Sequence, residues 1–438
     1  MSSRMYPRRA GAVLAAVAVG TLLLTGCSEG AAVDAGPLTA GEVPEEEATL
    51  TVWSFLPDNY DGGTEAYDEV IAAFEEEYPQ ITVELDTVPY PKYFDQVRNA
   101  TVARKGADVI TMYGGSQAYS YRNGLYPLQD AMLPEIESDL KFVDDNYSPD
   151  GNLYILPTGT YGYSMLVNQD LFASAGIDPV EGLKDWESLV GTCRTLATAG
   201  IQPMAAGWKD GFLFETFMYM ISSQMMDRAT LDKWVAGEIP VDDELFVTAT
   251  ERIVELNEAG CFGGSDKLGL NMYDDAFNEF YAGQAAMFST GSLSTAATAS
   301  ETVPSTTVLP LPQVPESTHE AGMIDAGAEA GWSVTKWTKH PEAAVAFVNF
   351  MASPEAQQIL WDSVGVPPNL GSLPVEGATP VQQAFLPLMQ NPENHTGFAA
   401  FPLTVLAVYE RNAAPLISGD MSVETFTEQA QAAFEKSK

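Results

Sequence analysis

Two serines occupy the positions best suited to covalent chemistry. Gly114-Gly115-Ser116-Gln117-Ala118 follows an apolar run and comes within one residue of the G-x-S-x-G turn that exposes a nucleophilic serine in hydrolases. Ala118 replaces the closing glycine, and no HGGG-type segment supplies the N–H groups that would hold an oxyanion. Ser333-Val334-Thr335-Lys336 fits S-x-x-K, but neither S-D-N nor K-T-G follows, and the segment reads as a strand where that chemistry uses a helix start. A base would have to come from His319, His340 or His395. These are scattered singly, and His340 directly precedes Pro341 at a helix start. The 60 acidic residues include no pair marked out by its surroundings for glycoside hydrolysis. The expectation is a protein that is not an enzyme, with serine hydrolysis the weakest alternative.

The cysteines carry a different message. Arg4, Arg8 and Arg9 precede an uncharged stretch from Ala10 to Gly26 that ends in Leu24-Thr25-Gly26-Cys27. That pattern is a secretion signal over residues 1–26 closing in a lipobox, and the stretch is short for a membrane span. Cys27 is the expected lipidation site, so the mature chain would sit outside the cytoplasm, anchored to the bacterial cell membrane through lipid alone. Residues 27–47, rich in Ala, Gly, Pro and acids with no hydrophobic period, read as lipidated Cys and flexible linker. Cys193 and Cys261 remain, and an oxidising exterior favours a disulfide between them. Two cysteines and three isolated histidines do not make a closed metal site, and no cofactor is expected. The formal charge of −39 repels nucleic-acid phosphates and anionic surfaces. A neutral ligand is fully compatible with it.

The elements that must position any site alternate along the chain. Leu50 to Phe55 reads as a buried strand, and Tyr67, Val70, Ile71, Phe74 and Tyr78 recur at helical spacing. Ile81, Val83 and Leu85 alternate as a second strand. A helix from Tyr93 to Arg104 and a strand from Asp108 to Tyr113 continue the β-α-β rhythm of a doubly wound parallel sheet, where ligands sit at the carboxyl ends of strands. Beyond Gly159 the pattern turns helix-rich, with candidates at 185–199, 212–226, 245–259 and 273–282 and a strand at 285–289. Gly331 to Lys336 reads as a strand, with helices beginning at Pro341 and at Ser353-Pro354, the latter with a serine cap ahead of proline at the first helical position.

The joint order of several segments resembles the family 1 extracellular solute-binding proteins, the maltose-binding-protein-like receptors of ABC importers. They are Leu50-Thr51-Val52-Trp53-Ser54-Phe55, Asp108-Val109-Ile110, Gly124-Leu125-Tyr126-Pro127-Leu128 and Gly151-Asn152-Leu153-Tyr154-Ile155-Leu156-Pro157. Asn168-Gln169-Asp170-Leu171-Phe172 with Ala175-Gly176, Gly283-Gln284-Ala285-Ala286-Met287 and the Gly331 strand complete the set. The resemblance implies an α/β, two-lobed periplasmic-binding-protein-like fold of type II, its discontinuous lobes joined by crossing strands and a hinge. The N-terminal lobe is expected at 48–158 plus 331–366, the C-terminal lobe at 159–330 plus 367–438. It also implies a monomer that captures a sugar or oligosaccharide between the lobes and delivers it to the transmembrane subunits of an ABC permease. A peptide or polyamine in the same fold is the alternative.

A sugar offers apolar C–H faces and a rim of hydroxyls, so its site needs aromatic plates beside polar side chains. Trp53 with Asp58 and Asn59, and Ser116 with Gln117, lie on or after early strands. Tyr161 lies on the segment that the resemblance makes the first crossing strand, with Tyr163 as its alternate. Trp208, Lys209 and Asp210 combine a ring with two charges in a glycine-flanked loop. Gly291 and Ser292 follow a strand, and Glu329 precedes the second crossing strand. Trp186, Trp234, Trp337 and Trp361 read as packing. One consequence is testable in cells: Cys27→Ser should move the protein from the membrane fraction to the soluble fraction, and continued retention would contradict lipidation.

Overall fold

The computed structural model describes residues 36–41, 46–292, 305–320, 322–397 and 400–436. Cys27 and the signal segment lie outside these. Among the described residues, ten strands form two sheets: β1 (Ala48–Ser54), β2 (Ile81–Thr87), β3 (Val109–Met112), β4 (Leu156–Pro157), β5 (Thr160–Asn168), β6 (Gln202–Met204), β7 (Ala285–Gly291), β8 (Thr306–Leu309), β9 (Ala326–Ala328) and β10 (Gly331–Val334). The first sheet runs β2-β1-β3-β10-β4 and the second β6-β7-β5-β8, with β9 paired to the start of β5.

In the first sheet β1 is parallel to β2 and β3, as the alternation of strands and helices predicts. The chain re-enters it late through β10, which is antiparallel to β3 and to β4, so the sheet is mixed and not purely parallel. Leu50, Val52, Val109 and Ile110 are buried in this sheet's core, which includes Phe74 of the Gly63–Glu77 helix and Phe347 of the Pro341–Met351 helix, edge to face at 5.2 Å. Each such fully buried side chain contributes about 1.5–3 kcal/mol relative to exposure. This core draws on residues 38–156 and 330–366. A second core gathers residues 165–326 and 381–434 around the second sheet, with Trp234 stacked on Phe434 at 5.1 Å.

Local chemistry sets the helix ends. Asp185 caps the Trp186–Thr198 helix through the Ser188 N–H, and Ser353 caps the Pro354–Val364 helix through that of Ala356. Cys193 and Cys261 form a disulfide that ties the Trp186–Thr198 helix to the turn after the Glu244–Glu258 helix. The helix expected at 273–282 begins instead as a π-turn, Met272–Ala276, before Phe277–Tyr281 becomes α-helical. The N–H groups of Asp275 and Ala276 both reach the Asn271 carbonyl, and the Asp275 carboxylate takes the Asn271 N–H, which widens that turn.

Within the segment read as linker, Leu38 is only 7% exposed and belongs to the first core. The Ala40 N–H donates to the Asp130 carbonyl. An apolar side chain in that composition finds a docking place that periodicity alone does not reveal. Among the described residues, no helix is long and apolar enough to cross a membrane.

Candidate functional site

The chain passes between the sheets at β4 to β5 and again at β9 to β10. The two crossings are held in register by Thr160, Tyr161 and Gly162 of β5, which pair with Ala328, Gly327 and Ala326 of β9, and by the Glu329 N–H, which donates to the Gly159 carbonyl. A Cβ at residue 159 would lie 2.6 Å from Val366 and 2.9 Å from the Glu329 carboxylate, so a side chain there would have to displace one or both. Glu329 is 8% exposed, and its Oε1 accepts from the Tyr60 hydroxyl at 2.9 Å.

Beside these crossings aromatic rings of the two lobes face one another across a narrow groove, with Tyr90 and Phe212 6.2 Å apart. Tyr60, Tyr90 and Tyr113 each follow the carboxyl end of a first-sheet strand, β1, β2 and β3 respectively, and each is half-buried. Phe55 supports Tyr90 edge-on at 5.1 Å, and Phe94 stacks on Tyr113 at 6.0 Å. From the other lobe, Phe212 opens the Phe212–Met225 helix and approaches Tyr90 to 6.2 Å and Tyr273 to 5.7 Å. Tyr113 lies close enough to feel the charges of Tyr163 and Tyr273 across the groove and of Glu329 beneath it. Rings from both lobes thus face one space.

Carboxylates stand behind the rings. Glu215, one turn into the Phe212–Met225 helix, is buried and accepts from the Tyr219 hydroxyl at 2.9 Å. Burial, reinforced by the charge of Glu410, pushes its carboxyl well above the usual range. Gly211 sits at φ +76°, and a Cβ there would meet the Glu410 backbone at 2.3 Å, so the glycine lets the Leu403–Ile417 helix bring Glu410 beside Glu215. At the lower end, the Asp325 Oδ2 accepts from Ser223 and from the Gly397 N–H, both at 2.5 Å, and its Oδ1 from Tyr161 at 3.3 Å. Tyr161 also bonds Thr396. At one rim Arg228 of the second lobe pairs with Asp145 of the first, beside an open groove of about 240 Å³. Among the described residues, no group of three or more His, Cys, Asp or Glu is placed to hold a metal.

The residues singled out from sequence divide by position. Glu329 and Asp210 carry their carboxyls near the groove, and Asp58 and Asn59 are exposed just before Tyr60. Ser116 and Gln117 are buried in the short helix after Tyr113, where the Ser148 hydroxyl holds the Gly115 carbonyl. Tyr161 faces the Asp325 network, while its alternate Tyr163 faces the rings. Gly291 lies under the Tyr163 ring, and the Ser292 hydroxyl approaches the Gly162 N–H at 3.4 Å. Lys209 is exposed. Trp53 turns its ring away from the groove onto Gly106. Trp208, expected to stack on a ligand, instead lies 1% exposed in the second core, edge-on to Phe262. The reason lies in the loop. The N–H groups of Trp208 and Lys209 bond the carbonyls of Lys267 and Leu270, and Asp210 takes the N–H of Phe212 and of Met272, which turns the indole inward. Tyr60, Tyr90, Tyr113, Phe212, Glu215 and Tyr273 were missed. The available signal was a tyrosine just past three successive strands.

Comparison with known proteins gives consistent neighbours. The family model described as bacterial extracellular solute-binding protein matches residues 60–358. An uncharacterised ABC-transporter extracellular-binding protein of Pyrococcus horikoshii is 23% identical over 392 residues, covering 85% of each chain. An arabinooligosaccharide-binding protein of Bacillus subtilis is 28% identical over 211 residues, 47% of this chain and 45% of that one. Among solved structures, a chitin oligosaccharide binding protein superposes with a TM-score of 0.77 at 22% identity, covering 89% of this chain and 99% of the other. The maltose/maltodextrin-binding domain from Bdellovibrio bacteriovorus bound to maltotriose gives 0.66 at 16%, covering 89% and 99%.

The buried carboxyls at the crossings predict a pH dependence. Burial pushes Glu329 and Asp325 up to about 7 from ordinary values of 4.5 and 3.8, outweighing the hydrogen bonds that they accept. Between those limits the folded chain retains protons that the unfolded chain has released. Their contribution to stability is therefore greatest below the unfolded values and is lost as pH rises through about 7. Glu329→Gln should shrink the drop in melting temperature between about pH 5 and about pH 8 relative to the parent. An identical drop in both proteins would contradict this assignment.

Proposed function

The chain belongs to the bacterial extracellular solute-binding protein family, and we propose that it captures an oligosaccharide in the ring-lined groove and passes it, chemically unaltered, to the permease of an ABC importer. The observation that carries this reading is the convergence of Tyr60, Tyr90 and Tyr113 from one lobe with Phe212 and Tyr273 from the other, with Glu215 and Glu329 between them. Aromatic faces match the C–H faces of pyranose or furanose rings, and carboxylates accept from sugar hydroxyls. A ligand touching both walls stabilises their approach, because only differential affinity can shift an equilibrium between open and closed lobes. The separation of the two cores supports lobes at 48–158 plus 331–366 and at 159–330 plus 367–438. Relatives named for binding arabino-oligosaccharides and chitin oligosaccharides point to the same ligand class. We assign the protein to the outer face of the cell membrane, held by a lipid on Cys27. The carboxylates around the groove keep an amine ligand as the second reading.

A thermal-shift screen across mono- and oligosaccharides, peptides and polyamines tests the proposal. A saccharide should raise the melting temperature. Tyr90→Ala and Tyr273→Ala should each weaken that saccharide by at least about tenfold while leaving the unliganded melting curve nearly in place. If every sugar left the curve unmoved while a peptide or amine shifted it, the carbohydrate assignment would be wrong.

A further inference from the structure

Three carboxyls, those of Glu215, Glu410 and Asp210, gather on the second lobe's side of the groove. Glu215 is 6% exposed, and while its Oε2 accepts from Tyr219, its Oε1 has no hydrogen-bond partner among the described residues. A buried carboxylate oxygen left without a donor is costly, and one facing a groove finds that donor on a ligand. Glu215 lies three residues on from Phe212, on the helix face whose ring approaches Tyr90 and Tyr273, and its partner Tyr219 stands 5.8 Å from Tyr163. The charges acting on Glu215 are those of Glu410 and Asp210, the charge acting on Glu410 is that of Asp210, and the one acting on Asp210 is that of Asp274. No lysine or arginine is among them. Lys209 and Arg411, the sequence neighbours of Asp210 and Glu410, are exposed.

We infer that Glu215, flanked by Glu410 and Asp210, forms a subsite that reads O–H or N–H donors on the ligand and excludes anionic saccharides. It admits neutral sugars and those bearing a protonated amine, and it turns away uronates and sugar sulfates or phosphates. This inference rests on the carbohydrate reading above and narrows it. An anion reaching Glu215 would meet like charge on Asp210 and Glu410. Even a protonated Glu215, able to offer its own hydrogen to an anion, leaves those two neighbours facing it. Tyr90, Phe212 and Tyr273 contribute apolar surface and keep the local dielectric low, which strengthens each of these electrostatic effects.

The test is isothermal titration of the full folded domain with defined trisaccharides. Maltotriose, xylotriose and chitotriose are the neutral probes, deacetylated chitotriose the amine, and trigalacturonate and a glucuronate-substituted xylotriose the acids. The expected result is that a neutral or amine probe binds and that the acids bind at least about tenfold more weakly or not at all. Glu215→Gln should narrow the gap between acid and neutral probes. Glu410→Gln, at an exposed position, should narrow it too. An acid that binds as tightly as its neutral counterpart, or a gap unchanged in both variants, overturns the inference and leaves the carbohydrate reading standing. A panel in which nothing binds overturns both.

Discussion

The pairing of β5 with β9, closed off by Glu329 against Gly159, fixes the position of everything else at the groove. These three rungs are where both halves of the chain run side by side, so their register determines which side chains of each lobe face the other. Glu329 takes part twice, through its backbone N–H and through the carboxyl that receives the Tyr60 hydroxyl. A larger residue at 159 would displace the Glu329 carboxyl that receives the Tyr60 hydroxyl. The fold thus places a close side-chain contact at the point about which the lobes would have to turn.

Around that point the electrostatics favour motion over rigidity. The carboxyls of Asp325 and Glu329 are buried with hydrogen bonds but no cation, so they hold the crossings in place without the strong lock of a buried ion pair. Among the described residues an ion pair, Arg228 with Asp145, spans the lobes at the rim. Its arginine side chain is 54% exposed and its aspartate only 5%, so the cation offsets the burial of that carboxylate. A rim contact with one water-accessible partner and a firm hinge suit a receptor that must close on its ligand and later release it.

Much of the architecture was legible from residues. The strands β1, β2, β3 and β10 and the helices at 186–198, 212–225 and 244–258 follow from hydrophobic period and capping residues, because burial of one face dictates both. The antiparallel return of β10 left no local mark, since strand direction depends on where the chain has already been. The candidate site was legible to the level of the loop. Asp58 and Asn59 stop one residue short of Tyr60, and Ser116 and Gln117 lie just past Tyr113. Lys209 and Asp210 precede Phe212 and Glu215. Which member of a loop faces the groove is settled by backbone hydrogen bonds to distant segments, as at Trp208, and composition does not encode them. Tryptophan was also given too much weight: the large indole rings fill cores here, and the smaller tyrosines, with a hydroxyl to keep wet, line the groove.

The central claim is that the two lobes close on a ligand held between them. Small-angle X-ray scattering of the folded domain, with and without a saturating saccharide, addresses it most directly. The account predicts a smaller radius of gyration in the bound state. Saturating binding with an unchanged radius in a protein that scatters as an open, two-lobed particle would contradict it.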